Sequence, residues 1–371
     1  MGEHVQLTVL HVHFWADIRN AAGSVEKVIM GFAAHGASYR HHIACCPGDG
    51  ATMDNDYEYQ GVAVSTFHED RLRNRVLNKV LGLRAFTYPS LIRLIHRLRP
   101  DVLHFHNRQE LVDAVLKRLD YRPAICVHYH RHFAAPVIPM GADRLVFVSN
   151  ATRAYIYSRV RADVPDCVVY NPLSADLLAR AEISGARMAP STLPVLLFGG
   201  GGSPIKGGAE LIEAFCSLGP GRARLVLAGR GVENLASTTE DIEVVGEVSA
   251  EQFFTLMKNA DAVVMPSYYE PFGLIAQEAM LMRRLLITTG SGGLAEFVDA
   301  DCAVLSDGHE PEALRDALNR ALILLRDAQR RDSVIDNAYA RMAGFMPEKI
   351  VVDMELCYDA AVHASQGTAT A

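Results

Sequence analysis

Short apolar runs alternate with longer amphipathic stretches along almost the whole chain, and this alternation restricts the fold more than any other feature. Apolar runs of strand length separated by helical segments are typical of β-α units, whose parallel strands are covered by helices. The apolar runs predict strands at 5–12, 39–46, 101–106, 124–130, 144–149, 167–170, 193–199, 222–229, 242–246, 261–267, 284–289 and 302–305. The amphipathic stretches predict helices at 22–35, 75–98, 108–119, 150–160, 207–218, 249–259, 273–282, 310–328 and 348–362.

The β-α units form two series, and 371 residues are enough for two domains. A stretch rich in Gly, Pro and small residues separates the series and is typical of a linker. The pattern therefore predicts an α/β protein of two Rossmann-like, doubly wound domains that face each other across a cleft. The predicted boundaries are 1–182 for the first domain, 183–192 for the linker, 193–346 for the second domain and 347–371 for a last helix and tail.

Composition narrows the class of protein. No run of 18 apolar residues exists to span a bilayer, and the N-terminal sequence MGEHVQLTVLHVHF lacks the basic start of a secretory signal. Seven scattered cysteines without a C-x-x-C motif argue against a disulfide framework or a thiolate zinc site, which favours the cytoplasm. Residues 1–200 carry a net charge of +4 and residues 201–371 a net charge of −11, which indicates different tasks for the two halves.

Two glutamates follow one strand of the second half in a pattern that suits a phosphorylated sugar. Glu270 lies in the turn after the strand, a helix is predicted to begin near Gly273, and Glu278 lies in the second turn of that helix. Open α/β sheets bind ligands at the carboxyl ends of their strands, and the first-turn amides of a helix bind anions. The pattern predicts a phosphate at the helix start, with Glu278 near a ribose and Glu270 near a sugar.

The string PSYYEPFGLIAQEAM resembles the E-x7-E signature of family 4 retaining glycosyltransferases, which have the GT-B fold. The glycine-rich run GGGGSPIKGGAELIEAF, the strand end LVLAGRGVE and the loop LLITTGSGGLAEFV resemble further motifs of this family. In the first half, AAGSVEKVI, DVLHFHN and VVYNPLS resemble its motifs in the same order. The resemblance implies a last helix that crosses back onto the first domain.

The resemblance also implies the functional residues. Glu270 would orient the donor sugar, Lys206 would contact its phosphates, and a histidine after the strand AICVHYH would be catalytic. Both His128 and His130 fit this role, and His130 is preferred because it ends the strand. The residues expected to bind the nucleotide sugar are Gly23, Gly201, Gly202, Lys206, Arg230, Val248, Phe272, Gly273, Leu274 and Glu278.

The glycine-rich loop departs from the family pattern at one position. The family usually has an arginine directly after the first glycine of this loop, where the present chain has Gly201. Two cations normally offset the charge that develops on the departing diphosphate. Lys206 supplies one of them, and Arg230 is a candidate for the other.

Three H-x-H pairs suggest an alternative function. His11/His13, His104/His106 and His128/His130 each lie two residues apart on a predicted strand, so that each pair shares one face and can chelate a metal ion. A metal-dependent hydrolase is therefore one alternative, and a sugar-nucleotide epimerase of the same fold is another. A G-x-G-x-x-G motif is missing after the first strand, which argues against a dehydrogenase.

The preferred hypothesis is a cytoplasmic, retaining glycosyltransferase without a metal or other cofactor. It would move a hexose-type sugar from a nucleotide-diphospho-sugar, with UDP as the first choice, to a hydroxyl of a glycan, a glycolipid or another acceptor. Its task would be the synthesis of a cell-surface polysaccharide or a glycoconjugate. Residues 71–99 hold eight Lys and Arg, no acidic residue and interspersed apolar residues, which predicts peripheral contact with an anionic membrane surface.

Overall fold

The strands form where apolar side chains occupy both faces of the backbone, as expected for parallel sheets that helices cover. The structure is a computed structural model that describes residues 6–14, 17–20, 24–47, 55–80, 86–184, 193–235 and 239–368. Contacts between residues divide the chain into unit 1, which comprises residues 1–172 and 347–371, and unit 2, which comprises residues 173–346.

Unit 1 contains an eight-stranded sheet. Its strand order is β3-β4-β2-β1-β5-β6-β7-β8, and all neighbours are parallel except the antiparallel pair β3 and β4. The strands are β1 Thr8–His13, β2 Arg40–Cys45, β3 Asp56–Tyr59, β4 Val62–Thr66, β5 Val102–His106, β6 Ala124–Tyr129, β7 Arg144–Phe147 and β8 Asp166–Val168. The helices before residue 172 are α1 Ser24–His35, α2 Arg71–Arg73, α3 Pro89–Leu98, α4 Val112–Leu116 and α5 Asn150–Tyr157.

Unit 2 contains a six-stranded parallel sheet with the order β11-β10-β9-β12-β13-β14. Its strands are β9 Val195–Phe198, β10 Arg224–Ala228, β11 Ile242–Gly246, β12 Ala262–Met265, β13 Leu285–Thr288 and β14 Val304–Leu305. Its helices are α6 Ala175–Ser184, α7 Gly208–Cys216, α8 Ala250–Asn259, α9 Leu274–Leu281, α10 Pro311–Arg326 and α11 Ala328–Arg341. Leucine, isoleucine and valine from β9, β10, β12 and β13 form the core with α7 and α10.

The last helix, α12 Pro347–Thr368, belongs to unit 1 although unit 2 precedes it in the chain. It packs on β6 and on α1, and Tyr358 is fully buried there. Cys357 of this helix is joined to Cys167 of β8 by a disulfide. The cysteine spacing predicted no such pair, because 190 residues separate the two cysteines and only the return of α12 makes them neighbours.

The predicted boundary of the first domain at 182 is wrong by the length of one helix. The structure divides the chain between Pro172 and Leu173, and α6 belongs to unit 2. The Leu173 amide donates to the Phe345 carbonyl, and α6 contacts α9, so both contacts hold this segment on unit 2. The predicted linker 183–192 lies outside the described residues except for its first two positions. The end of unit 2 at Met346 coincides with the predicted boundary.

Four elements were not predicted from the sequence, namely the two strands of the hairpin, β3 and β4, and the helices α6 and α11. The helical stretch predicted at 75–98 forms separate pieces, and the second piece, α3, begins at Pro89. The hairpin turn contains Gln60 and Gly61, both with positive φ, which is the conformation that tight hairpins favour. No helix in the described part of the chain is both long and apolar enough to cross a membrane.

Candidate functional site

The glycine-rich loop after β9 contacts the backbone of the next strand end. Gly201 has a φ of +68°, and the Gly202 amide donates to the Arg230 carbonyl at 3.0 Å. A Cβ atom on Gly202 would lie 2.0 Å from the Gly231 carbonyl oxygen. Only glycine therefore allows this close approach of the two backbone segments at the carboxyl end of the sheet.

Lys206 and Glu270 meet at the ends of β9 and β12. Lys206 lies in a short 3-10 turn, Pro204–Lys206, and its Nζ is 2.6 Å from Oε2 of Glu270. The Ser267 hydroxyl is 3.3 Å from the same carboxylate oxygen. The side chains of Lys206 and Glu270 are 27% and 11% exposed, respectively, so the pair is largely shielded but open to a ligand. The structure thus brings together two residues that the sequence placed 64 positions apart.

The turn after Glu270 is held rigidly by backbone contacts. Gly273 has a φ of +110° and caps α9, and a Cβ atom there would lie 2.3 Å from the Leu294 side chain. The Gly293 amide donates to the Glu270 carbonyl at 2.8 Å. The first amides of a helix carry partial positive charge, which favours an anion beside them. The start of α9, three residues after Glu270 in the chain, is therefore a candidate site for a phosphate.

The remaining predicted residues of unit 2 take different positions. Glu278 lies in α9 and is 6% exposed, while Leu274 is half-buried. The Phe272 ring packs against Phe297 and Phe345 in the protein interior, which gives its side chain a structural role. Arg230 contributes its carbonyl to the glycine loop and exposes its side chain, and Val248 lies half-buried before α8. Gly23 lies outside the described residues.

The residues that support the Glu270 loop were not predicted from the sequence. The Ser267 carbonyl accepts hydrogen bonds from the hydroxyls of Thr289 and Ser291, both at 2.7 Å. Tyr268 donates to Glu210 at 2.9 Å and stacks on His309. The Thr and Ser residues after β13 could have indicated these contacts, because hydroxyls at a strand end often form hydrogen bonds with neighbouring backbone groups.

The histidine predicted to be catalytic lies in unit 1, directly after β6. The His130 amide donates to Oδ1 of Asn107 at 3.1 Å, and its Nε2 lies 2.9 Å from Nδ1 of His106. Burial lowers the pKa of His130 to about 3, so its imidazole is neutral near pH 7. His128 is fully buried, whereas His130 is half-buried. Of the two candidates, His130 is thus the one that a ligand can reach.

Each half of the chain matches the sequence model of a glycosyltransferase family. Residues 21–177 match the model described as Glycosyltransferase Family 4, and residues 180–341 match the one described as Glycosyl transferases group 1. The D-inositol 3-phosphate glycosyltransferase of Salinispora tropica is 29% identical over 242 residues, which are 61% of this chain and 46% of the relative. An uncharacterized glycosyltransferase of Methanocaldococcus jannaschii is 25% identical over 82% of this chain and 90% of its own length.

Solved structures share the fold over almost the whole chain. Sucrose-phosphate synthase from Thermosynechococcus elongatus has a TM-score of 0.71 at 19% identity, covering 96% of this chain and all of that one. Anabaena HepE in complex with UDP-glucose has a TM-score of 0.68 at 19% identity, covering 93% and 98% of the two chains. The two parallel-sheet units are therefore those of the GT-B fold. Within that fold class, the chain belongs to the family 4 glycosyltransferases. The chain spans about half the length of the inositol-phosphate glycosyltransferases that it matches.

Proposed function

We propose that this protein transfers a hexose-type sugar from a nucleotide-diphospho-sugar to an acceptor hydroxyl with retention of configuration. The observation that carries the proposal is the 2.6 Å contact between Lys206 and Glu270 beside the start of α9. A nucleotide-diphospho-sugar needs a cation beside its phosphates and a hydrogen-bond acceptor beside its sugar hydroxyls. Lys206 is such a cation, and Glu270 is such an acceptor. The E-x7-E pattern and the UDP-glucose that HepE binds support UDP as the first nucleotide to test.

Each residue has a separate part in the proposed reaction. Lys206 and the amides of Gly273 and the first turn of α9 hold the diphosphate and stabilise its charge as the glycosidic bond breaks. Glu270 binds a sugar hydroxyl and favours the cation-like transition state. The acceptor hydroxyl attacks from the side of the leaving group, which keeps the configuration, and the departing phosphate accepts the hydroxyl proton. His130 is proposed to contact the donor near its reacting carbon.

Transfer assays with a panel of nucleotide sugars and acceptors test this function. We expect a product with the anomeric configuration of the donor, detected by NMR, and an undiminished rate in excess EDTA, because Lys206 and helix amides take the place of a divalent cation at the phosphates. The expected acceptors are the hydroxyls of glycans and glycolipids, as in polysaccharide or glycoconjugate synthesis. Inverted product would contradict the retaining mechanism. Turnover of the nucleotide sugar without any acceptor would favour the epimerase instead.

Replacing Glu278 by alanine should chiefly weaken nucleotide binding. Glu278 lies in the second turn of α9, where its carboxylate is proposed to accept a ribose hydroxyl. Loss of one charge-assisted hydrogen bond costs about 1.5–3 kcal/mol, so the Kd for UDP in isothermal titration should rise by about 10- to 150-fold. Turnover at saturating donor should stay within about threefold of wild type, since chemistry continues once the donor is bound. Glu251→Ala, an exposed glutamate of α8, is the matched control.

Residues 71–80 support contact with an anionic membrane. Leu72, Val76 and Val80 are 73%, 41% and 71% exposed and lie four residues apart along consecutive helical turns. Exposed cations lie among them, namely Arg71, Arg73, Arg75 and Lys79. An apolar stripe among cations suits the surface of an anionic bilayer.

The other part of the basic segment is an ordinary packed helix. In α3, Leu91, Leu94 and Ile95 are buried. Arg97 pairs with Asp56, and Arg99, at the end of the helix, pairs with Asp120. We therefore narrow the proposed membrane surface from 71–99 to 71–80.

The full protein should sediment with anionic vesicles at low salt and release at high salt. Each cation near the surface contributes about 1 kcal/mol, and salt screens this attraction. Leu72→Ser should reduce the bound fraction, whereas Ile323→Ser, which removes another strongly exposed apolar residue, this one from unit 2, should not. Equal sedimentation with neutral vesicles, or no binding at low salt, would contradict membrane contact and leave the transferase proposal unchanged.

A further inference from the structure

One face of the unit 1 sheet carries a cluster of buried histidines. Along β1 and β5, the side chains of Leu10, Val12, Leu103 and Phe105 enter an apolar core cluster, while most of the alternating positions are histidines. We call the following residues the histidine layer: His11, His41, His104, His106, His128 and His130. Its rings contact one another, with neighbouring centroids 3.9–5.7 Å apart. The proposed sugar transfer uses only His130 of this layer, so the other members require a separate explanation.

Three members of the layer converge on one point. His104 and His106 lie two residues apart on β5, and His11 lies beside His104 on the adjacent strand β1. Each ring offers a nitrogen within 4.8 Å of a nitrogen on the other two, and all three side chains are completely buried. Nδ1 of His11 and Nε2 of His106 are 3.0 Å apart. Tetrahedral zinc with Zn–N bonds of about 2.1 Å needs ligand nitrogens about 3.4 Å apart, so only a small adjustment separates this pair from zinc geometry.

The second nitrogen of each of these rings is already held by a partner. His11 Nε2 lies 2.9 Å from His41 Nδ1, His106 Nδ1 lies 2.9 Å from His130 Nε2, and His104 Nδ1 lies 2.8 Å from the Tyr358 hydroxyl. Metal-binding histidines usually have such an outer partner, which fixes the ring and the free nitrogen. In the described part of the chain, Nε2 of His104 has no hydrogen-bond partner although it is buried. A buried nitrogen without a partner is costly, and a metal ion would remove that cost.

We propose that His11, His104 and His106 bind one zinc ion, or a similar divalent transition metal, inside unit 1. Three imidazole nitrogens suit zinc, cobalt, nickel or copper, whereas magnesium and calcium require oxygen ligands. The site has a structural role and no catalytic one, because no ligand side chain is exposed to a substrate. The metal would join β1 to β5 and, through the Tyr358 hydroxyl, tie α12 to the sheet. This site does not depend on the proposed sugar transfer.

The alternative to a metal ion in this space is a chain of imidazoles that hydrogen-bond to one another, and the experiment separates the two.

Metal analysis of the purified protein tests the proposal. The protein is expressed in zinc-supplemented medium and dialysed against EDTA, and its metal content is measured by inductively coupled plasma mass spectrometry. A second preparation is grown with cobalt in place of zinc. Wild type should retain about one metal ion per chain, and the cobalt form should show the visible absorption of a tetrahedral nitrogen site. His104→Gln should retain at least about tenfold less metal. The control is His96→Gln, which changes a partly exposed histidine of α3 that pairs with Asp120.

Two results would overturn the proposal. One is a wild-type protein with less than about a tenth of an ion per chain after growth with either metal, and the other is equal metal in His104→Gln and wild type. The metal content of the wild-type protein can contradict the proposal by itself, even if His104→Gln does not fold. The proposed UDP site lies in unit 2 and shares no residue with the metal site. A UDP titration therefore tests the proposed transferase separately. A metal-free protein that binds UDP would contradict the metal site alone.

Discussion

Replacing Lys206 by alanine should reduce kcat/KM for sugar transfer by about 100- to 1,000-fold, the cost of losing one preorganised group that stabilises developing charge. The expected loss is large because the glycine loop has Gly201 where the family usually has an arginine, so Lys206 is the main cation available to the phosphates there. Steady-state kinetics with UDP-sugars over a range of donor concentrations measure the effect. Both kcat and donor affinity should fall.

The matched control for this variant is Lys258→Ala. Lys258 is an exposed lysine near the end of α8 in the same unit, so its removal changes the net charge equally without touching the loop. Its kinetics should stay within about twofold of wild type, as for most surface substitutions. A wild-type rate in Lys206→Ala would show that the phosphates are held elsewhere, with Arg230 as the next residue to test.

Replacing Glu270 by alanine should lower kcat by about 100-fold or more while the Kd for UDP changes little. Its carboxylate is proposed to act on the sugar and its transition state, whereas UDP alone contains no sugar to orient. Rapid-quench measurement of one turnover, together with titration of UDP, separates the two effects. The contrast with Glu278→Ala, which should weaken binding and spare turnover, is the test of the E-x7-E assignment.

Glu243→Ala is the control for the loss of an ion pair. Glu243 lies 2.7 Å from Arg224 at the surface of unit 2, so the variant removes a carboxylate that is paired at nearly the same distance as Glu270. It should keep wild-type kinetics. If Glu270→Ala keeps the wild-type turnover, or if its UDP affinity collapses with its turnover, Glu270 does not have the proposed role.

The sequence predicted the elements that carry long apolar runs and missed those that tertiary contacts define. The strands around Leu10, Leu103 and Leu197 were predicted from their continuous apolar runs, which are expected because both faces of a parallel sheet are buried. The hairpin of β3 and β4 was missed because Asp56–Tyr59 is an edge strand with mostly polar residues. Helix α6 was missed because its second half, RAEIS, leads into a stretch of small residues that suits a linker, and only packing against unit 2 identifies the segment as a helix.

The chemistry of the site was predictable only where a motif spans consecutive residues. Glu270, Gly273 and Glu278 follow one strand and were found together. The contact of Lys206 with Glu270 depends on the neighbouring positions of β9 and β12 in the sheet, which no local pattern reveals. The same holds for the histidine layer. The H-x-H spacing indicated which residues share a face, but the convergence of His11 with His104 follows from the pairing of β1 with β5.

The return of α12 to unit 1 has a consequence for synthesis on the ribosome. Unit 2 is one continuous segment, residues 173–346, and all of it leaves the ribosome before α12 does. Unit 1 must wait for Pro347–Thr368, so its sheet stays uncovered along β6 while unit 2 is already free to fold. A nascent chain halted after residue 346 would therefore expose the face of an unfinished domain that carries the histidine layer, and that is the intermediate on which a chaperone would act.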